Sequence, residues 1–351
     1  TMDYGPMLTT TIEFGEDGSN IAQKAIAIRL NDGPGGIARG QAWIAFEHDT
    51  LRMAAAWTRS FVDWNGIQFN GRHGVHLHAN GELHGTTRTA PGWAKPETQS
   101  FEDVQRIVGR DGRRYGPLPA KWGKFLGLHR YENRVVLNYR VGESDVLESP
   151  TVLLAETTPT FVRTLNIGPR PVALKMAIMD VPQNAVLRQM EDAVAIQSGD
   201  RHITAAMAQL GDARLGLEQG RLVLDLPAGD STLQGAIWYS DTLIDVEPRQ
   251  AIARSLDETD FDLQRFTHGG PAQYATAVEV PAKQWFESEA WSVDELVRPE
   301  GNPWLARTRV TGLDFYPDGD SLAVCTWDGD VWKVTGTGSL GKPGASLRWR
   351  R

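Results

Sequence analysis

Short runs of alternating apolar and polar residues dominate the first sixty positions of the chain. Ile26, Ile28 and Leu30 recur at every second position, which places them on one face of an extended strand. Similar runs end at glycine-rich or Asp-Gly sequences, which favour turns. The pattern therefore predicts strands at 8–14, 24–30, 41–47 and 50–57.

A second and longer series of strands begins at Asn133. Stretches such as RVVLNYRV, TVLLAE and RLVLDL are short, aliphatic or β-branched, and separated by Gly, Pro, Ser or Asn up to about Ser240. This gives more candidate strands than one small immunoglobulin-size sandwich holds. We therefore predict an all-β fold with few short helices, built as a large two-sheet β-sandwich-like domain.

Helix is expected mainly at 248–267, where Ile252, Leu256 and Phe261 recur loosely at helical spacing. The segment 65–115 has no clear period, because Gly, His, Thr, Arg and Pro dominate it. An irregular segment of this length is usually either functional or poorly ordered, so it is the first place to look for chemistry.

The C-terminal stretch has a pattern of its own. Strands are predicted at 310–315, 321–326 and 330–334, joined by Asp-Gly turns, which are a strong hairpin signal. Such a β-meander is typical of a propeller blade, and a propeller needs about four or more blades. We therefore predict a large β domain at 1–295 and the first blade of an incomplete propeller at 296–351.

Composition excludes several classes of function. The 351 residues include 36 basic and 44 acidic side chains, and the net charge of −8 argues against a nucleic-acid partner. No apolar run is long enough to predict a membrane span. The first ten residues lack the pattern of a signal peptide, which leaves a removed signal open.

Cys325 is the single cysteine, so no internal disulfide and no covalent haem are expected, and its mid-strand position predicts a buried thiol.

Several stretches together carry a family resemblance. They are MDYGPMLTTTIE, LRMAAAWTRSFVDWNG, FNGRHGVH, PGWAKP, RRYGPLPAKWGKFLGLHRYENRVVLNYRVGESDVLESP and the junction from NPW to TGLDFYPDGDSLAVCTWDGDVWKVTG. The chain resembles a domain of unknown function found on the N-terminal side of propeller and c-type cytochrome modules in secreted planctomycete and verrucomicrobial proteins. The resemblance implies a periplasmic or secreted location and a redox or carbohydrate-linked context. It also implies the remaining propeller blades and a cytochrome c module as partners, but no established reaction or catalytic residues.

Four of the eight histidines lie within twelve residues, at His73, His76, His78 and His84. On a strand, His76 and His78 share one face and could bind one divalent metal, with His84 or Glu82 as a third ligand. The alternative is a polar loop that exposes these residues without a metal, since HxH alone fixes no third ligand.

Tryptophans supply the second set of candidates. Exposed indole faces can stack on sugar rings while neighbouring polar groups bond the hydroxyls, so an oligosaccharide or polysaccharide ligand is considered. The glycan candidates are Trp57, Asp63, Trp64, Asn70, Arg72, Trp93 and Trp122. The alternative is that each indole fills the core of a β protein.

Carboxylates offer weaker candidates for acid and base catalysis. Two groups of carboxylates lie close together in the sequence. The first group is Glu47, Asp49 and Asp63, and the second is Glu143, Asp145 and Glu148. A glycosidase pair is recognised by its separation in space, which sequence does not supply. No GxSxG nucleophile elbow occurs, so the sequence does not support a serine hydrolase.

The leading hypothesis is an accessory module of a larger propeller or cytochrome-type redox protein. It would bind a glycan or dock the adjoining propeller and would not be catalytic by itself. The alternative is a metal-dependent carbohydrate lyase or hydrolase that uses the histidine loop at 73–84. A third reading is a scaffold that contacts no ligand.

Overall fold

The computed structural model describes residues 2–16, 18–64, 76–154, 158–257 and 261–351. Strands dominate it, so the predicted all-β class with few helices is confirmed. The chain forms two compact units, Tyr4–Gly270 and Pro271–Arg351, the second of which includes the first residues of the chain. Each unit is described by itself below, and the sequence-based division into 1–295 and 296–351 stays a prediction.

The larger unit begins with a seven-stranded sheet that curls into a half-barrel. Its strands are β1 (Met7–Phe14), β2 (Asn20–Arg29), β3 (Ala42–Glu47), β4 (Arg52–Thr58), β5 (Val62–Asp63), β6 (Leu77–Ala79) and β7 (Glu82–Thr86). They are ordered β5-β6-β1-β2-β3-β4-β7, and β1 to β4 pair antiparallel in sequence order. The first four correspond to the four strands predicted from alternation.

A hairpin and a second sheet follow. The hairpin consists of β8 (Ile107–Val108) and β9 (Arg114–Tyr115). The eight-stranded sheet contains β10 (Gly123–Tyr131), β11 (Arg134–Val141), β12 (Ser144–Leu154), β13 (Pro159–Ile167), β15 (Val186–Gln189), β16 (Val194–Ser198), β17 (Arg201–Ala208) and β20 (Leu233–Ser240). Its order is β10-β11-β12-β13-β20-β17-β16-β15. A three-stranded sheet is formed by β14 (Leu174–Asp180), β18 (Arg214–Glu218) and β19 (Arg221–Leu226).

Both faces of the half-barrel sheet are apolar, because alternate residues along its strands belong to two different hydrophobic cores. In β3, Ile44 and Phe46 point to the core shared with the eight-stranded sheet, whereas Trp43 points to the inside of the half-barrel. There Trp43 stacks on Trp57 with ring centroids 5.9 Å apart and an interplanar angle of 22°. Alanines on β2 to β4 leave the room that these two indoles occupy.

The eight-stranded sheet turns one face to this core and the other outward. Part of the outer face is covered by helix α1 (Val246–Asp257) and by the segment 261–267, which contains the 3₁₀ turn Gln264–Phe266. Leu256 and Phe261 pack there against Trp238, and Leu263 packs against Leu147. The predicted helix at 248–267 is therefore corrected, because α1 ends at Asp257 and its continuation at 264 is a 3₁₀ turn.

The smaller unit is built on an antiparallel meander. Its sheet contains β21 (Val278–Pro281), β24 (Val310–Phe315), β25 (Ser321–Thr326), β26 (Val331–Thr335) and β27 (Ser346–Arg350), ordered β21-β27-β26-β25-β24. A separate hairpin is formed by β22 (Lys283–Glu287) and β23 (Ser292–Glu295). The Asp318 carboxylate accepts the backbone N–H groups of Asp320 and Ser321 at 2.9 and 2.8 Å, as its turn position predicts. Cys325 is exposed, which corrects the predicted buried thiol, because its side chain alternates with the buried Val324.

Candidate functional site

A groove remains on the outer face of the eight-stranded sheet, beside the segment 261–267. Its volume is about 640 Å³, within the range of small-molecule sites. The lining residues are Leu126, His129, Asn138, Arg140, Asp145, Leu147, Asn166, Gly168, Thr232, Gln234, Gln264 and Thr267. We call it the amide groove, because side-chain amides are the largest class among them.

A single register row forms the floor of the amide groove. Asn138 on β11 lies opposite Leu147 on β12, Leu147 lies opposite Asn166 on β13, and Asn166 lies opposite Gln234 on β20. Adjacent strands are about 4.8 Å apart, so the row spans about 14 Å. The floor therefore presents amides at both ends of an apolar step, over a length greater than one pyranose ring.

The three side-chain amides of this row, Asn138, Asn166 and Gln234, differ in burial and in their hydrogen bonds. Asn166 is buried, donating its Nδ2 hydrogen to the Phe261 carbonyl at 2.6 Å and accepting the Leu263 N–H at 2.8 Å. It thereby fastens the groove wall to the sheet. Asn138 is half-buried and Gln234 is exposed, and their side-chain amides face the groove with donors and acceptors open to a ligand.

One wall is made by an irregularity in β10. The pairing with β11 shifts between Phe125 and Gly127, and this bulge leaves Leu126 outside the ladder with 44% of its surface exposed. Gly127 adopts φ +141°, a conformation that favours glycine. The bulge therefore presents an apolar side chain to the groove, with the half-buried His129 ring further along the same strand.

The charges in the amide groove are paired with each other. Arg140 Nε donates to the Asp145 carboxylate at 2.7 Å, and about half or more of each side chain is exposed. This hydrogen bond raises the pKa of Arg140 further above its ordinary value. Asp145 is the one carboxylate among the groove residues of the described chain.

A buried network supports the floor from behind. Glu148 on β12 accepts hydrogen bonds from Tyr139 Oη at 2.6 Å and from Arg163 Nε at 2.5 Å, and all three side chains are buried. Burial and the Glu148 charge raise the pKa of Tyr139 well above its usual value, so its hydroxyl stays a donor. Strands β11, β12 and β13 are thus held in register directly beneath the groove residues.

Three of the tryptophans predicted to contact a glycan lie in the core. Trp57, Trp93 and Trp122 are at most 1% exposed. Trp57 Nε1 donates to the Phe61 carbonyl and Trp122 Nε1 to the Trp93 carbonyl, both at 2.9 Å. This corrects the prediction for these three, because their indole faces pack inside the β structure and offer no surface to a sugar.

The other glycan candidates lie apart from the amide groove. Asp63 is exposed in β5, and Trp64 is partly buried against the half-barrel interior. Asn70 and Arg72 lie outside the described residues. Their part in ligand binding stays a prediction.

The histidines have hydrogen-bonding partners within the fold. His78 Nε2 donates to the Gly15 carbonyl at 2.6 Å, and the buried His84 contacts Thr58 and Asp241. Glu82 pairs with Arg59 at 2.7 Å, and His76 is half-buried next to β6. Within the described ranges, no three His, Cys, Asp or Glu side chains come together as metal ligands. His73 lies outside these ranges, so the metal centre stays a prediction.

The carboxylate groups named from sequence are mostly tied up in the fold. Glu47 forms a buried ion pair with Arg52, with Oε2 and Nε 2.7 Å apart. Burial raises the pKa of Asp49, but the hydrogen bond with His48 and nearby cations outweigh it, so the pKa lies below its usual value. Asp49 is therefore not poised as a general acid, and Glu47 is held in its ion pair.

Comparison with known proteins gives a partial family match. Residues 44–148 match the model of a family described as a domain of unknown function, DUF6797. This supports an uncharacterised domain that includes β3 to β7 of the half-barrel and β10, β11 and the start of β12 in the second sheet, but not β1 or β2. Asn138 and Asp145 lie inside the matched range, whereas Asn166 and Gln234 lie outside it.

Other comparisons add little. No curated protein matches the chain. Among solved structures, a protein from the human microbiome described as a candidate kojibiose phosphorylase matches with a TM-score of 0.28 and 9% identity. The match covers 63% of this chain and 32% of that one, so this chain spans about a third of its length.

No helix in the described part of the chain is both long and apolar enough to cross a bilayer.

Proposed function

We propose that this protein binds carbohydrate in the amide groove. The observation that carries the proposal is the floor row, in which Asn138 and Gln234 offer side-chain amides on either side of Leu147. Amides suit sugars because each group donates and accepts, as each hydroxyl does. Leu126, which is 44% exposed, supplies apolar surface for the C–H face of a ring, beside the largely buried Leu147.

The groove is suited to binding more than to glycoside cleavage. Most glycosidases use two carboxylates that flank the scissile bond, one as acid and the other as base or nucleophile. Asp145 stands alone in the described lining and is held by Arg140. We therefore infer an accessory carbohydrate-binding role for this groove.

Titration calorimetry with soluble cello-, xylo- and malto-oligosaccharides tests this proposal. We expect at least one series to bind the wild-type chain, with an affinity that falls at least about tenfold in Asn138→Ala and in Gln234→Ala, since each substitution removes hydrogen bonds to the ligand. Gln197→Ala is the matched control, because Gln197 is an exposed amide on the same sheet outside the groove. Absence of binding to every series, or an equal loss in the control, would contradict the proposal.

We also propose a docking role for the smaller unit, which a specific observation favours. Leu313 and Phe315 on β24 pair with Val324 and Leu322, so they extend the same apolar layer. Val324 and Leu322 are buried, yet Leu313 and Phe315 are 49% and 56% exposed. Further propeller blades, as the sequence resemblance implies, are the partner that would cover this layer.

The same resemblance supports a periplasmic or secreted location and a cytochrome c module as a further partner. Both are proposals, as is the alternative of a metal-dependent carbohydrate enzyme that uses the histidine loop.

A further inference from the structure

A hydroxyl, an imidazole and a carboxylate are aligned where the edge of the half-barrel meets the end of β20. Thr58 is the last residue of β4, His84 lies on the neighbouring β7, and Asp241 directly follows β20. Thr58 Oγ1 lies 2.7 Å from His84 Nε2. His84 Nδ1 lies 3.0 and 3.1 Å from the two carboxylate oxygens of Asp241.

The hydrogen-bond partners of His84 show which of its ring nitrogens carries the hydrogen. A carboxylate only accepts, so Nδ1 of His84 carries the hydrogen that is donated to Asp241. Nε2 then has a free lone pair and accepts the Thr58 hydroxyl hydrogen. The imidazole is thus oriented by a carboxylate on one side and placed to remove a proton from a hydroxyl on the other.

Packing shields the imidazole while a cavity leaves access to it. His84 is 7% exposed, and the Phe161 ring packs against it with centroids 5.6 Å apart. Thr58, His84 and Asp241 all line a cavity of about 470 Å³, large enough for a small ligand. Among the residues that the structure describes, none lines both this cavity and the amide groove.

Two further features of the cavity fit a reaction centre. Arg59, immediately after Thr58, adopts φ +74°, a left-handed conformation that is strained in a residue with a side chain. Its guanidinium pairs with Glu82, and both residues lie on the cavity wall together with Gln41. Arg59 and Gln41 therefore place side-chain N–H donors on the wall of the same cavity as Thr58.

We propose that Thr58 is a nucleophile for acyl transfer from small carboxylic esters, with His84 as the base and Asp241 as its positioning residue. Thr58 Oγ1 attacks the ester carbonyl carbon while its proton passes to His84 Nε2. The C–O bond to the alcohol then breaks, and the alcohol leaves with that proton. Water attacks the acyl-threonine, giving its proton to Nε2, which returns it to Thr58 as the carboxylic acid is released.

Hydrolysis of p-nitrophenyl acetate by the whole chain, with mass spectrometry of the acylated peptide, tests this assignment. We expect turnover above the uncatalysed rate and an acetyl group on Thr58. Thr58→Val should lose at least about a hundredfold in kcat/KM, whereas Thr58→Ser should retain activity because it keeps the hydroxyl. Thr86→Val is the matched control, because Thr86 lies on β7 with His84 but does not line the cavity.

Asp241→Asn separates a positioning role from a structural one. We expect a loss of at least about a hundredfold in kcat with little change in KM, since the wrong imidazole tautomer would face Thr58. Equal activity in wild type and Thr58→Val, acylation at another residue, or no turnover in a folded wild-type chain would overturn the proposal. Circular dichroism establishes that each variant is folded, and mapping the acyl group on the wild type does not depend on any variant.

Discussion

At the scale of residues, two ion pairs near the groove have similar geometry and very different surroundings. Arg163 and Glu148 are buried with Nε and Oε1 2.5 Å apart, whereas Arg140 and Asp145 are exposed with Nε and Oδ1 2.7 Å apart. Water solvates the charges of an exposed pair in both the folded and the unfolded chain, so loss of the pair changes the free energy of unfolding little. Removing one partner of a buried pair leaves an uncompensated charge in the core.

We therefore expect Glu148→Gln to lower the free energy of unfolding by about 3–5 kcal/mol. Asp145→Asn should leave it nearly unchanged, because the Arg140–Asp145 pair is exposed to solvent. Urea denaturation followed by circular dichroism measures both. A double variant, Glu148→Gln with Arg163→Met, should recover part of the loss because it removes the unpaired charge. Similar effects of the two single substitutions would show that the buried pair does not stabilise the sheet.

At the scale of elements, the amide groove depends on how the segment 261–267 is attached to the sheet. Asn166 bonds two backbone groups of this segment, and Leu263 packs on Leu147 beside it. Asn138 lies in the same row but is half-buried and faces the groove. Asparagine thus bonds the groove wall from one strand and faces the open groove from another.

Asn166→Ala should detach this wall, since it leaves the Phe261 carbonyl and the Leu263 N–H without their partner. We expect a loss of about 1–3 kcal/mol in stability. Hydrogen exchange measured by mass spectrometry should accelerate most in the peptide that contains 261–267. Asn138→Ala is the comparison and should leave that peptide protected. Unchanged exchange in Asn166→Ala would show that other contacts hold the wall.

The sequence predicts the secondary-structure elements better than it predicts the residues of the site. Alternation located β1 to β4, and the Asp-Gly turns located β24 to β26, because both signals are local. The floor row joins residues 138, 147, 166 and 234 through strand register, which no spacing in the sequence reveals. Thr58, His84 and Asp241 come together in the same way, so a search for a local nucleophile motif misses them.

The tryptophan prediction failed for a related reason. Trp57, Trp93 and Trp122 lie in or beside a segment with no clear period, which suggested exposure. Trp57 is the penultimate residue of β4, and Trp93 forms an isolated bridge with Met176 on β14, so both belong to the sheets. An aromatic residue in a segment without clear periodicity can therefore lie in the core when strands distant in sequence pack around it.

At the scale of the whole molecule, the smaller unit carries apolar surface at one edge of its sheet. β24 is the last strand of that sheet in the described chain, and each of its six residues is exposed. The exposed apolar side chains at this edge are Val310, Leu313, Phe315 and Tyr316, and the exposed Trp327 bonds the backbone just before β24. An apolar edge strand with free backbone groups favours pairing with another strand.

We therefore expect this chain, studied alone, to self-associate as its concentration rises. Leu313→Lys should reduce the association, because a charge on an edge strand opposes pairing. Sedimentation velocity over a range of concentrations measures the effect. Val186→Lys is the control, since Val186 is 67% exposed on β15, an edge strand of the other unit. A monomer at all concentrations, or equal effects of the two substitutions, would contradict a role for β24.

The stacked indoles of Trp43 and Trp57 also give the half-barrel an optical signature. Two nearly parallel chromophores 5.9 Å apart couple their electronic transitions, and both rings are shielded from water. Because the two rings come from adjacent strands, β3 and β4, the coupled band in the near-ultraviolet dichroism spectrum would vanish when those strands separate. The contribution of this pair, added to that of the close Trp304–Trp332 and Trp332–Trp349 pairs of the smaller unit, thus reports on half-barrel integrity independently of any ligand or substrate.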